Sequence, residues 1–183
     1  MRTAVEQILS KHEAAQGLER IAREMVAACG GAEQLALVGI RRGGPEIAEF
    51  LARAVEKQTG VVVPIGAVDI TLYRDDNARA LPNPRIGTTE VPFDVREKTI
   101  VLVDDVLFTA RTVRAAMHAL LDYGRAKAIK LAVLVDRGGR ELPIQADFVI
   151  KHCRVEPPLR VEVIVEPDGF SAVIVPELTP DQP

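Results

Sequence analysis

Four apolar residues, Ile100 to Val103, run directly into two acids, Asp104 and Asp105. The stretch reads Ile100-Val101-Leu102-Val103-Asp104-Asp105-Val106-Leu107-Phe108-Thr109-Ala110-Arg111-Thr112, and the helical pattern of Val113 to Leu121 follows at once. A short unbroken apolar run suits a strand buried on both faces, and such strands belong to parallel sheets covered by helices. The junction therefore sets two carboxylates and two threonines at the carboxyl end of a strand and the amino end of a helix. Helix N-termini carry unpaired N–H groups and a partial positive charge, so an anion is favoured there. Acceptors for sugar hydroxyls beside donors for phosphate oxygens are what a sugar phosphate needs.

The rest of the chain repeats this alternation. Residues 4–28 read as helical, with Leu18, Ile21, Ala22, Met25 and Val26 on one face and Gly30-Gly31 as the stop. Leu35 to Ile40 is a short buried strand, and Arg41-Arg42-Gly43-Gly44 is a turn. Pro45 stands where a first helical residue would, its missing N–H costing nothing there, and a helix is expected over Glu46 to Lys57. Val61 to Leu72 is β-rich, with a bend at Pro64 and Gly66. Residues 73–94 are long for a structureless connection and are expected to form a lid or arm. A strand over 99–104, a helix over 112–123, a strand from Ile129 to Val135 and a turn from Arg137 to Arg140 come next. Asp147 to Ile150 reads as a short strand, and Val161 to Val165 with Ser171 to Val175 as a hairpin around Pro167-Asp168-Gly169. The tail after Pro176 is expected to be loose.

This order predicts an α/β fold: a central parallel twisted sheet flanked by helices, with a flexible lid or arm and a C-terminal hairpin. At 183 residues the whole chain, 1–183, is expected to be one domain. Ligands of such sheets bind outside the carboxyl ends of the strands, which singles out the turns at 41–44, 104–112 and 137–140. A formal charge of −3 gives no overall attraction to nucleic acid, so any such contact needs a local basic face. Cys29 and Cys153 form no motif and suggest a reduced compartment. No apolar run approaches the ~20 residues that span a bilayer, and charges interrupt the N-terminal apolar positions, so a cytoplasmic protein without membrane contact is expected.

The acid pair has competing readings. One is a solvated acidic loop, against which the carboxylates directly follow four apolar residues and precede Thr109 and Thr112. A receiver-type phosphoacceptor domain also carries paired acids, but too little chain remains after Asp105 for its other strands. No Gly-Lys-Ser/Thr phosphate loop occurs. His12, His118 and His152 lack partners at metal-ligand spacing.

The run from Val101 to Thr112 resembles the phosphoribosyl diphosphate (PRPP) motif of the type I phosphoribosyltransferases. A wider string is similar to one branch of them: Asp69 to Asp76, Val91-Pro92-Phe93-Asp94, Asp104 to Ala115, and Leu131 to Gly138. That branch is the PyrR family of pyrimidine-operon regulators with uracil phosphoribosyltransferase activity. The resemblance spans roughly residues 18–150.

It implies conversion of uracil and PRPP to UMP and diphosphate, and UMP-responsive binding to a pyrimidine-operon leader RNA. Asp104 and Asp105 would accept from the ribose hydroxyls. Val106, Leu107, Phe108, Thr109, Ala110, Arg111 and Thr112 would surround the ribose and 5′-phosphate. Arg41, Arg42, Gly43 and Gly44 would hold the pyrophosphate, and Arg74 on the lid would approach the leaving group. Arg137, Gly138 and Ile150 would border the base, largely through main-chain groups. No metal ligand is direct; Mg2+ would ride on PRPP, with Asp104 or Asp105 reached through water. Arg20, Arg23 and Arg140, with Arg137, Lys151 and Arg154, are candidates for an RNA face. A homodimer or larger homo-oligomer is implied. A purine phosphoribosyltransferase of the same fold and a nucleotide-sensing regulator without catalysis are the alternatives.

The chain departs from that pattern in four places. Ala110 stands where the motif usually has glycine, and its methyl strains the turn if φ is positive there. The pyrophosphate turn, commonly Thr-Arg-Gly, reads Arg42-Gly43-Gly44. Gly139 replaces a usual histidine. Ile150 to Glu156 replaces a usual Gly-Lys-Asn-Val-Pro-Thr-Ser.

Overall fold

A computed structural model describes residues 6–71, 73 and 88–177. Strand β1 (Glu6–Leu9) precedes helix α1 (Lys11–Ala28), β2 (Leu35–Ile40), α2 (Gly44–Thr59) and β3 (Ile65–Val68). Then come β4 (Thr99–Leu107), α3 (Arg111–Leu121), β5 (Ala128–Asp136), β6 (Phe148–His152), β7 (Leu159–Glu166) and β8 (Gly169–Pro176). Among the described residues, β3-β2-β4-β5-β6 form a parallel sheet of five strands in that spatial order. The expected α/β architecture holds.

Alternation along β4 divides the core. Val101 and Val103 face α1 and α2, in a cluster with Ile21, Met25, Ile47 and Leu51. Ile100 and Leu102 face α3, with Val113, Ala116 and Leu120. All four β4 residues are fully buried, as a central parallel strand requires.

Several boundaries differ from the sequence expectation. The N-terminal segment is not helical throughout: Glu6–Leu9 pairs antiparallel with β8, making a second sheet in the order β1-β8-β7. Helix α1 starts only after Ser10, whose hydroxyl accepts from the Glu13 N–H while the Glu13 carboxylate accepts from the Ser10 N–H. That reciprocal box satisfies two donors that would otherwise be unpaired. Strand β4 runs three residues past Asp104, because Val106 and Leu107 continue the ladder against Val135 and Asp136. Among the described residues of the β-rich stretch 61–72, the four of Ile65–Val68 form a strand. The hairpin forms as expected with longer arms, and Lys11 ties it to α1 through Asp168 at 2.8 Å and Glu166 at 3.0 Å. Most of the expected lid, residues 74–87, lies outside the described residues, as does the tail from 178.

Candidate functional site

Strand order reverses between β2 and β4: the chain leaves β2 toward β3 on one side and β4 toward β5 on the other. A crevice opens outside the carboxyl ends of strands at such a point. Both loops bordering it come from turns singled out by sequence.

Asp104 is buried and Asp105 partly buried at the end of β4. Each carboxylate is pinned by the next peptide: Asp105 N–H donates to Asp104 Oδ1 at 3.0 Å and Val106 N–H to Asp105 Oδ1 at 2.7 Å. Among the described residues no basic side chain forms an ion pair with either acid. Burial, and then the charge of Asp105, push the Asp104 carboxyl well above the usual carboxylate range. Burial also raises Asp105, although the Val106 N–H draws it down. Two acids desolvated together without a cation form a site short of hydrogen-bond donors or positive charge.

The β2–α2 turn closes against this pair. Gly43 has φ of 96°, and a Cβ there would sit 3.0 Å from Asp105 Oδ2. At Gly44 it would strike the Val103 carbonyl oxygen. Two glycines thus allow the turn to lie on β4, which no side chain would permit. Helix α2 begins at Gly44, two residues earlier than expected, with Pro45 in its first turn and no side-chain cap. Arg41 donates its N–H to Val68 O at 3.0 Å and reaches Glu90 at 3.9 Å. Its Nε is buried without a partner among the described residues. Arg42 is exposed.

Helix α3 also lacks a side-chain cap and carries no acid in its first turn. Its N-cap is Ala110 at φ 72°, so the positive φ that would favour glycine is present. Thr109 Oγ1 accepts from Arg111 N–H at 3.3 Å. The Arg111 guanidinium is held by Glu141 at 2.6 Å, and Thr112 is partly buried in the first turn.

The third turn follows β5. Arg137 is 5% exposed. Its Nη2 donates to Val155 O at 2.8 Å and Leu159 O at 3.0 Å, and its guanidinium lies 4.0 Å from the Phe108 ring centroid. This residue joins β5 to the segment entering β7, so its side chain is withdrawn from solvent, with Nε buried and unpartnered among the described residues. Gly138 N–H donates to Asp136 Oδ1 at 3.0 Å. Gly139 has φ of 75° and a Cβ there would overlap the Phe108 ring, which accounts for the absence of histidine. Ile150 turns its side chain onto Gly17 of α1, leaving only its main chain to face outward.

The arginines expected on an RNA face differ in exposure. The Arg140 guanidinium is enclosed, bonded to Ile144 O, Phe108 O, Gln145 and Asp136. Arg20 bonds Glu24 and Val149 O. Arg23 is exposed, Lys151 partly so, and Arg154 is exposed but paired with Glu156. Arg74 lies outside the described residues.

Sequence reading passed over Asp136. It closes an apolar run, as Asp104 does, and its carboxylate organises the third turn. Burial would raise it, but the Arg140 guanidinium and the Gly138 N–H hold it below the usual range.

Fold and site together define a phosphoribosyltransferase: the Phosphoribosyl transferase domain family matches residues 4–171, and the chain belongs to it. Solved hypoxanthine phosphoribosyltransferases share its fold. That of Trypanosoma cruzi in complex with IMP superposes with a TM-score of 0.64 at 20% identity, covering 84% of this chain and 79% of that one. A hypoxanthine-guanine enzyme of Bacillus anthracis gives 0.68 at 13%, covering 93% and 99%. Within the family the chain belongs to the PyrR branch. It is 50% identical to the "Bifunctional protein PyrR" of Chloroflexus aurantiacus over 92% of this chain and 93% of that protein. With the protein of the same name in Citrifermentans bemidjiense it shares 58% over 73% and 76%.

Proposed function

We propose that this chain transfers the phosphoribosyl group of PRPP to uracil, giving UMP and diphosphate, and that UMP-dependent binding to a pyrimidine-operon leader RNA is its second activity. The observation that carries the first part is the acid pair, without an ion-pair partner among the described residues, set between two helix N-termini that no side chain caps. Ribose hydroxyls would donate to carboxylate oxygens of Asp104 and Asp105, beside the single backbone N–H that each accepts. The 5′-phosphate supplies the anion that the α3 N-terminus, Thr109 and Thr112 can bind. The diphosphate falls to the α2 N-terminus, with Gly43, Gly44, Arg42 and the unpartnered Nε of Arg41.

No protein nucleophile is needed. As the C1–oxygen bond breaks, its electron pair leaves with diphosphate, positive charge develops on the ribose, and N1 of uracil bonds to C1 and loses its proton. Asp104 and Asp105 fix the ribose and lie near the growing positive charge. The arginines and oriented N–H groups receive the growing negative charge, a contribution that preorganised sites make without reorganising. Arg74 would add to this from the lid. The base would lie against the main chain at Gly138 and Ile150.

Among the described residues no three acid, histidine or cysteine side chains converge to hold a metal. Two adjacent carboxylates fit a cation carried by the substrate's own oxygens and reached through water, as Mg2+ usually is. Bound there, Mg2+ would neutralise charge on the leaving diphosphate.

Of the proposed RNA face, Arg23 with Arg20 on α1 and Lys151 and Arg154 beyond β6 remain. We place the protein in the cytoplasm, as a single domain over 1–183 that assembles as a homodimer or larger. Among the described residues no helix is long and apolar enough to cross a membrane.

PRPP-dependent turnover screened over uracil, adenine, guanine, hypoxanthine and orotate tests the enzyme reading. Uracil alone should be consumed. A purine consumed instead identifies the purine alternative, and no turnover with any base leaves only a nucleotide sensor. For the RNA role, affinity for the leader transcript should rise with UMP and fall steeply with salt. Absence of binding at low salt removes it.

A further inference from the structure

Arg140 joins the two loops of the site that bind opposite ends of the nucleotide. Its side chain is 14% exposed, and its guanidinium donates in three directions. Nη1 donates to Phe108 O at 2.8 Å and to Gly138 O at 3.4 Å. Phe108 is the first residue after β4, two before the α3 N-cap. Gly138 belongs to the turn after β5. Nε donates to Ile144 O at 2.9 Å, and Nη2 to the Asp136 carboxylate and to Gln145 Oε1 at 3.3 Å. One planar cation therefore bonds the phosphate loop, the β5 turn and the 144–145 segment at once.

A second contact welds the same two loops. The Phe108 ring lies between the Arg137 guanidinium and Gly139, where the missing Cβ makes room for it. The Phe108 main chain is thus fixed by Arg140 and its ring by the neighbours of Arg140. Asp136 holds the head of Arg140 and the Gly138 N–H together.

We infer that Arg140 is a positioning residue for catalysis, setting the distance between the 5′-phosphate loop and the base-facing turn. This rests on the phosphoribosyltransferase reading above. The 5′-phosphate anchors one end of the nucleotide and the base turn the other. An error in their spacing displaces the base from C1, and a misplacement near 1 Å costs on the order of 10²-fold in rate. Only a guanidinium can span these acceptors, since five donors in a rigid plane reach what the single ammonium of lysine cannot.

The test compares wild type, R140K and R140A by steady-state kinetics with PRPP and uracil varied separately, beside thermal melting. R140K should raise KM for both substrates and lower kcat/KM on the order of 10²-fold. Added methylguanidinium should recover part of the R140A loss. If R140A does not fold, R140K carries the test. Wild-type KM values in R140K, or a lowered melting temperature with unchanged kcat/KM, overturn the assignment. So does an R140K chain that fails to fold, which would make Arg140 a structural strut alone. A wild-type chain that turns over no base refutes the functional reading itself, and the assignment with it.

Discussion

Asp104 and Asp105 bind protons more tightly in the folded chain than in the unfolded one, because burial disfavours the charge of both and the Asp105 carboxylate further opposes that of Asp104. Folding of the ligand-free protein therefore takes up protons at this pair. The pair's favourable contribution is complete below the unfolded carboxylate value near 3.8 and is lost as pH rises through the raised folded values. Asp136, whose carboxyl is lowered, works the other way: its contribution is present above that range and lost on acidification. Asp104→Asn should accordingly melt higher than wild type at pH 8 while losing activity, with the gain vanishing near pH 4. Each kcal/mol relieved is worth about 2–4 °C in a chain of this size. Melting curves of both proteins across that pH range check it, and a D104N protein less stable at pH 8 contradicts the unpaired-acid account. Ala110 supplies a second residue-level test. Its φ of 72° suits glycine, but its methyl is buried in the α3-side cluster. Ala110→Gly trades relieved strain against lost packing and should stay within about 1 kcal/mol of wild type. Ala110→Val puts a β-branched side chain at positive φ and should cost more than about 2 kcal/mol by chemical denaturation.

At the scale of elements, the strand–turn–helix units were legible where one segment's own pattern decides the structure. The apolar run into Asp104, the Arg41 to Gly44 turn and the Pro167-Asp168-Gly169 hairpin are local signals, and all three form, with shifted boundaries. The misread elements depend on partners distant in sequence. Glu6–Leu9 is a strand only because β8 lies beside it. The Ser10 to Glu13 box that divides it from α1 was a local signal passed over. Ser10→Ala should cost about 1 kcal/mol in denaturation experiments, as loss of a helix cap does elsewhere. Helix α1 then packs on β6 through Gly17, where a methyl would overlap Ile150. Gly17→Ala should destabilise the chain, and Ile150→Ala, which removes the γ-methyl that the new Cβ would meet, should recover part of the loss when added to it. Equal losses in the single and double variants would contradict that packing.

Across the whole molecule, the site is a product of topology more than of any one motif. The reversal of strand order between β2 and β4 brings residues 41–44 beside Asp105, sixty positions later in sequence. Resemblance could place those turns in one site, but it could not show which arginines face inward. From sequence, Arg137 is expected to border the base and Arg140 to join an RNA face, since arginines are mostly exposed. Their burial follows from carbonyls at Val155, Leu159, Phe108 and Ile144 that only the folded chain assembles. The central claim is that the acid pair receives the ribose of PRPP. The most direct measurement is diphosphate release from PRPP in the presence of uracil, by wild type and Asp105→Asn, with melting temperature measured alongside. The account predicts a fall on the order of 10²–10³-fold in the variant without loss of folding. Near-wild-type turnover in a folded Asp105→Asn protein would contradict it.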